Sequence, residues 1–263
     1  MSRKFIFGGS YASAPSYGAL TTAWILATSE VDTTILNALN TLETDLNTYG
    51  LTSKVKALYP YVGGTATKHK FNFIDTANFE ITWSGGVTHN SNGITGSVNG
   101  YGNTSLVPSS VLTLNSTHVS VNIKTAAAST SRSVLGSMNS GFTNGLYIYP
   151  KISNQIYFDV NASSGGNNPL LNTTESGFFT INRVNSTQQS AYRNGSSLGT
   201  STRNSSSLST QALTVLASNI NGTISDYYNG GTLNFISIGD GLTPTEISNL
   251  NTAVSNFNTA LGR

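Results

Sequence analysis

The sequence predicts a mainly β fold, an antiparallel sandwich or jelly roll with one helix before it and one after it. Three observations carry this. Between residues 70 and 240, short runs alternate apolar and polar side chains and are separated by Gly, Asn and Ser, with no helical period among them. Two segments outside that zone repeat apolar residues at steps of three and four. Finally, 37% of the 263 residues are apolar, enough for a substantial core, while only 9% are charged and Ser, Thr and Asn supply about two residues in five. Solubility therefore rests on hydroxyls and amides.

Residues 1 to about 22, rich in Gly, Ser, Ala and Tyr, read as an arm with one short strand, Lys4 to Phe7. From 31 to 49, Ile35, Leu39, Leu42, Leu46 and Tyr49 form the stripe of an amphipathic helix, which Asp32 or Thr33 can cap and Gly50 can end. That stripe has two available uses, packing on the neighbouring domain or self-association, for which Ile35, Leu39, Leu42 and Leu46 would be the contacts. "SKVKALYP" (53–60) reads as a short helix, and Gly63 and Gly64 as the turn out of it.

The expected strands are 70–74, 79–83, 118–124, 145–149, 155–160, 177–183, 189–193, 212–217 and 232–239. In "HVSVNIK", Val119, Val121 and Ile123 share one face and Ser120, Asn122 and Lys124 the other, the pattern of a half-buried strand. The chain closes with a second amphipathic helix. Thr243 and Glu246 form a capping box around Pro244, Ile247, Leu250, Val254, Phe257 and Leu261 make the stripe, and Gly262 is the stop. The resulting division is an arm (1–24), a helical segment (25–60), and a sandwich with its closing helix (61–263).

Charge excludes a nucleic-acid partner, because 13 basic and 11 acidic residues leave +2 and no basic stripe. No apolar run is long enough to cross a bilayer, and Phe5 to Phe7 is too short for a secretory signal, so membrane insertion is not expected. With no cysteine the chain offers no thiolate.

Catalytic motifs fail on context. "VGGTATKHK" has the glycines and lysines of a phosphate loop without its spacing, and a strand is expected to follow it. "GSSLG" (195–199) matches a nucleophile elbow at Ser197, but Asn194-Gly195 marks a hairpin turn rather than a strand-to-helix corner. "ETDLN", beginning at Glu43, lacks the last acid of a Glu-x-Asp-x-Glu glycosidase pattern and sits on a helix. His69, His89 and His118 are separated in sequence without metal-ligand spacing, so neither metal nor cofactor is expected.

The segment from Phe178 to Leu250 resembles a laminin-G-like, concanavalin A-like sandwich. The resemblance runs through "FFTINR", "AYRNGSSLGT", "ALTVLASN", "NGGTLNFISIGDG" and "LTPTEISNL", with Tyr192, Asn194, Gly195, Leu242 and Glu246 at its hairpin tip and final turn. "LYPYVGGTATKHKFNFID", "LNSTHVSVNIKT" and "AVSNFNTALGR", with "LNTYGLTSKVKA", are similar to bacteriophage virion proteins of tails and fibres that carry this domain, over residues 25 to 263. That resemblance implies a non-enzymatic fibre or decoration subunit on the outside of a particle, made in the bacterial cytoplasm. It implies other virion proteins and further copies of the chain, in a trimer, as partners, and a host surface glycan as ligand. The alternative is a lectin module on a virion or bacterial surface. A glycan hydrolase using an acid such as Glu80 or Asp159 is a third reading.

Two long polar segments, 87–103 and 161–177, are the natural contact loops. Tyr101, Tyr227 and Tyr228, set among Gly and Asn, are the candidate sugar-binding residues, through aromatic faces and hydroxyls. The competing reading is that these tyrosines cap the edge of the core.

Overall fold

Two helices, α1 (Ala19–Thr28) and α2 (Thr33–Thr48), open the structure, a computed structural model that describes residues 16–127, 132–163 and 169–263. Then come β1 (Val55–Tyr59), the one-turn α3 (Ala66–His69), β2 (Thr82–Ser84), β3 (Thr88–Asn90), β4 (Gly93–Thr95), β5 (Tyr101–Asn103) and α4 (Pro108–Val111). The middle of the chain supplies β6 (Thr117–Thr125), β7 (Leu135–Asn139), β8 (Thr143–Ile152), β9 (Gln155–Ala162), β10 (Leu170–Leu171), β11 (Gly177–Arg183), β12 (Gln189–Arg193) and β13 (Ser196–Ser201). The last strands are β14 (Thr214–Val215), β15 (Ser218–Ile220), β16 (Thr223–Ser225) and β17 (Thr232–Gly239), followed by α5 (Pro244–Ala260). The expected strand Lys4 to Phe7 lies outside the described residues.

These strands form the expected antiparallel sandwich. One sheet runs β13-β12-β11-β6-β17-β4-β3, with β1 pairing β17 beyond β4; the other runs β10-β9-β8-β7-β14-β5-β2, with the β15–β16 hairpin against β7. Val119, Val121 and Ile123 of β6, Phe179 and Ile181 of β11, and Ile236 and Ile238 of β17 point inward against Leu146 and Ile148 of β8 and Ile156, Phe158 and Val160 of β9. All are buried, each stabilising the fold by roughly 1.5–3 kcal/mol.

The helices roof the outer face of the first sheet and make a second core. Leu39, Leu42 and Leu46 of α2 and Trp24 of α1 pack with Leu250, Val254 and Phe257 of α5 over Phe178 and Phe235 of the sheet. This corrects the self-association reading of the α2 stripe. Leu39, Leu42 and Leu46 are 0% exposed within one chain and Ile35 is partly buried beside them, so the three leucines are used in the fold and offer no surface to another copy.

The roof also alters the expected polar face of β6. Ser120 bonds Thr180 at 2.8 Å, and Asn122, Asn234 and Asn258 form an amide chain at 2.7 and 3.2 Å, so polar rungs are paired beneath helices instead of facing solvent.

Several segments differ from their sequence pattern; the expected strands 79–83 and 212–217 shrink to Thr82–Ser84 and Thr214–Val215. "SKVKALYP" is strand β1, because Ala57 and Tyr59 are needed inside the sandwich while Val55 and Leu58 face the roof. Residues 70–74 form no strand; Phe73 is buried and its N–H bonds the Leu58 carbonyl at 2.7 Å. Helix α1 replaces part of the expected arm. It lacks a side-chain cap of its own, and the Glu43 carboxylate of α2 receives the Leu20 and Thr21 N–H groups at 3.0 and 2.9 Å.

Asp32 caps α2, and the Thr243–Glu246 capping box of α5 is present, as expected. Asn194 (φ 50°) and Gly195 (φ 76°) make the hairpin between β12 and β13, which places Ser197 on a strand and not at an elbow.

Candidate functional site: a tyrosine cleft

Among the described residues no helix covers the outer face of the second sheet, and alternation fixes what that face displays. Along β8, Leu146 and Ile148 turn inward, so Tyr147 and Tyr149 turn outward, and Tyr157 of β9 pairs opposite Tyr149. On β5 the inward residue is Gly102, crowded by Ile81, Trp83 and Val215, which leaves Tyr101 outward.

The β15–β16 hairpin then brings a short polar turn over this face. Its own turn is Asn221-Gly222, both at positive φ, as a two-residue hairpin requires. Asp226 follows in the left-handed region (φ 55°) and is tied down twice. The Tyr149 hydroxyl donates to its Oδ2 at 2.6 Å, and its carbonyl accepts from the Ser133 N–H at 3.1 Å. Burial first, and then the Asp226 carboxylate, push the Tyr149 phenol above its ordinary pKa, so it stays a proton donor.

Tyr228 turns inward, its hydroxyl donating to buried Glu175 at 2.6 Å. Tyr227, the residue before it, stays half-buried at the surface, with its hydroxyl on the Ile224 carbonyl at 3.2 Å. The following turn clamps residues 96–100, since Gly230 N–H bonds Gly96 O and Gly96 N–H bonds Gly231 O. A side chain at Gly96 would meet the Tyr228 carbonyl at 1.9 Å, so glycine alone permits this approach.

The result is a cleft of about 260 Å³ lined by Val98, Arg132, Asp226, Tyr227 and Asn229. The Tyr101 ring stands 6.4 Å from that of Tyr227 at 54°. An apolar rim, a ring face, a carboxylate, a guanidinium and an amide converge there, a set suited to a polyhydroxylated ligand.

Of the three tyrosines singled out from sequence, the structure brings Tyr101 and Tyr227 together and removes Tyr228. At 0% exposure Tyr228 is a core residue, its ring buried in the sandwich and its hydroxyl taken up by Glu175. Sequence reasoning missed Tyr149, Arg132 and Asp226. The Leu-Tyr-Ile-Tyr alternation of β8 already placed Tyr147 and Tyr149 on one face; nothing local linked them to position 226. Segment 87–103 contributes Val98 and Tyr101, although β3, β4 and β5 occupy much of it. Segment 161–177 lies partly outside the described residues, and its Glu175 points into the core.

A second cleft, of about 410 Å³, is lined by the Gly63-Gly64 stretch with Glu30, Asp32, Lys68 and Arg263. Lys68 pairs with Glu30 at 2.9 Å there. Arg263 donates to the carbonyls of Pro60, Tyr61 and Ser91 at 2.8 to 3.1 Å. Beside it His69 and His89, separate in sequence, meet Nδ1 to Nδ1 at 3.0 Å, one imidazole donating and one accepting. Burial, with the neighbouring His89 and Arg263, pushes His69 down to about 3. No group of three or more metal-ligating side chains occurs among the described residues.

His118 is a satisfied interior histidine, donating from Nδ1 to the Asp240 carbonyl at 2.6 Å. Of the two acids considered for hydrolysis, Glu80 pairs with Lys70 at 2.6 Å and Asp159 with Arg203 at 3.1 Å. Asp159 also accepts from Tyr147 and Gln189, and burial outweighs these partners, pushing its carboxyl up to about 6.

No protein-family model matches the chain, and no curated protein matches it. Solved structures with a similar fold include botulinum neurotoxin type C, described through the dependence of its cell entry on two ganglioside molecules. Its TM-score is 0.51 at 14% identity over 79% of this chain and 53% of that one. The binding domain of botulinum neurotoxin serotype G gives 0.50 at 12% identity over 75% and 50%, so this chain spans about half of either toxin structure. Domain 4 of the extracellular arabinanase AbnA from Geobacillus stearothermophilus, in complex with arabinotriose, gives 0.47 at 15% identity over 75% and 98%.

Proposed function

We propose that the protein is a glycan-binding β-sandwich module without catalysis of its own, and that the tyrosine cleft is its binding site. The observation that carries this is the convergence of Tyr227, Asp226, Arg132 and Asn229, with Tyr101 beside Tyr227, on the outer face of the second sheet. Ring faces stack on the C–H face of a sugar while amide, carboxylate and guanidinium groups take its hydroxyls. The botulinum structures support the reading as analogies of fold, one of them being described through ganglioside interaction. Asp159 and Glu80 are each engaged by a cation, which favours binding over hydrolysis.

The test is titration with a printed panel of neutral and acidic oligosaccharides, followed by calorimetry of the best ligand. Micromolar to millimolar binding, weakened at least tenfold by Tyr227→Ala with the melting temperature unchanged, is the expected result. A panel blank throughout overturns the proposal.

The sequence resemblance to phage virion proteins supplies the setting we favour for such a module, display on the outside of a particle beside other virion proteins. The segments that carry that resemblance include interior residues such as Tyr59, Phe73 and His118, which encode the sandwich rather than its location. Antibody labelling of intact particles decides the setting; unlabelled particles remove it and leave the cleft proposal standing.

A further inference from the structure

The charge of the preferred sugar can be read from the same cleft, an inference that rests on the cleft being a glycan site. We propose that it selects neutral sugars presenting adjacent hydroxyls over sugars bearing a carboxylate or sulfate. Among the described residues, the formally charged groups lining it are one cation, Arg132, and one anion, Asp226, so this lining carries no net charge to attract an acidic ligand. The phenols nearby, Tyr227 and Tyr149, are neutral donors whose hydroxyls already hold the Ile224 carbonyl and the Asp226 carboxylate.

Asp226 is the deciding group because it is held in place. Its backbone sits at φ 55°, its carbonyl receives Ser133 N–H, and Tyr149 grips Oδ2 at 2.6 Å. A carboxylate fixed in this way cannot swing aside for an incoming anion. It can accept from a sugar hydroxyl, which an ionised carboxylate or sulfate cannot donate. A neighbouring hydroxyl of the same sugar can then accept from the Arg132 guanidinium or the Asn229 amide. Donor and acceptor side by side are the complement of a vicinal diol, with Tyr227 and the exposed Val98 (68%) meeting the apolar face of the ring.

The experiment uses the full chain and matched pairs of oligosaccharides, lactose against 3′-sialyllactose and xylotriose against its glucuronylated form, together with Asp226→Asn. Asparagine tolerates positive φ and still accepts from Tyr149, so the turn is expected to stay folded, checked by circular dichroism and melting temperature. The expected result is at least tenfold tighter binding of the neutral member of a pair. Asp226→Asn should weaken that member about tenfold and narrow the gap to the acidic one. Acidic members binding as well as or better than neutral ones overturn this inference while leaving the glycan site intact. An unchanged preference in Asp226→Asn overturns the role given to Asp226. Failure of every pair and of the wider panel removes the glycan site itself.

Discussion

The two outer faces of the sandwich have opposite fates. The first sheet is roofed by α1, α2 and α5, which bury Phe178 and Phe235 together with a chain of Asn and Ser rungs. The second leaves Tyr101, Tyr149 and Tyr157 half-buried at the surface, with a short turn over them as its one cover among the described residues. One face supplies stability and the other can vary, because the roofed side and the interior core stabilise the scaffold without it. Substitutions on the roofed side should therefore unfold the protein, and those at the cleft should leave it folded and change what it binds.

The largest effect expected is from Phe235→Ala. Phe235 lies edge-on to both Phe178 and Phe257, joining sheet to roof, and is 0% exposed. Truncation should lower stability by about 3–5 kcal/mol, read from urea midpoints, with glycan affinity of the folded fraction unchanged. Loss of affinity in step with stability would mean that the two faces are not independent.

Acid should strike the roofed side next. His118, beneath the roof, is held down to about 4 and His69 to about 3, chiefly by burial. Folded pKa values below the unfolded value of about 6.5 mean that the unfolded chain takes up protons first as pH falls. Their contribution is therefore complete above about pH 6.5 and is lost below it, by up to about 1.4 kcal/mol per unit of pH for each imidazole. Asp159, raised to about 6, acts in the opposite sense below that pH and offsets part of one of them. A net loss of roughly 2–4 kcal/mol between pH 7 and pH 5 is expected from urea midpoints. A flat profile would show the imidazoles to be protonated inside the fold.

A smaller loss, about 1–3 kcal/mol, is expected for Glu43→Ala, which leaves the Leu20 and Thr21 N–H groups of α1 without their acceptor. Urea midpoints read it, with Asn37→Ala on the exposed side of α2 as the comparison.

Glu43 also marks where the sequence stops being legible. The regular strands β6, β11, β12 and β17 and both capped helices could be read locally, since period and cap lie within the segment itself. Helix α1 could not, because its cap comes from Glu43, over twenty positions away, and its residues from Ala19 to Ile25 show no clean stripe. Strand β1 was hidden for a similar reason. Its residues face two different cores in turn, so they read as a helical run. At the site, Tyr101 and Tyr227 stood out as aromatics among glycines. Asp226 gained its meaning from Tyr149, and His69 from His89, through contacts that only folding makes.

The smallest change expected separates exposure from function. Val98 (68% exposed) and Leu171 (72%) are equally prominent apolar residues on the open side, and single exposed hydrophobics need no explanation in themselves. Val98 lines the cleft, whereas Leu171 lies on β10, the opposite edge of the sheet from β5. Either residue changed to Ser should shift stability by less than about 0.5 kcal/mol. Val98→Ser should nevertheless weaken glycan binding by a few-fold, through loss of the apolar rim beside Tyr227, while Leu171→Ser should leave affinity unchanged. Equal loss from both variants would spread the binding surface across the whole open face, along Tyr147 and Tyr157 as well. Loss from Leu171→Ser alone would move the site to the β9–β10 edge and leave the tyrosine cleft without a ligand.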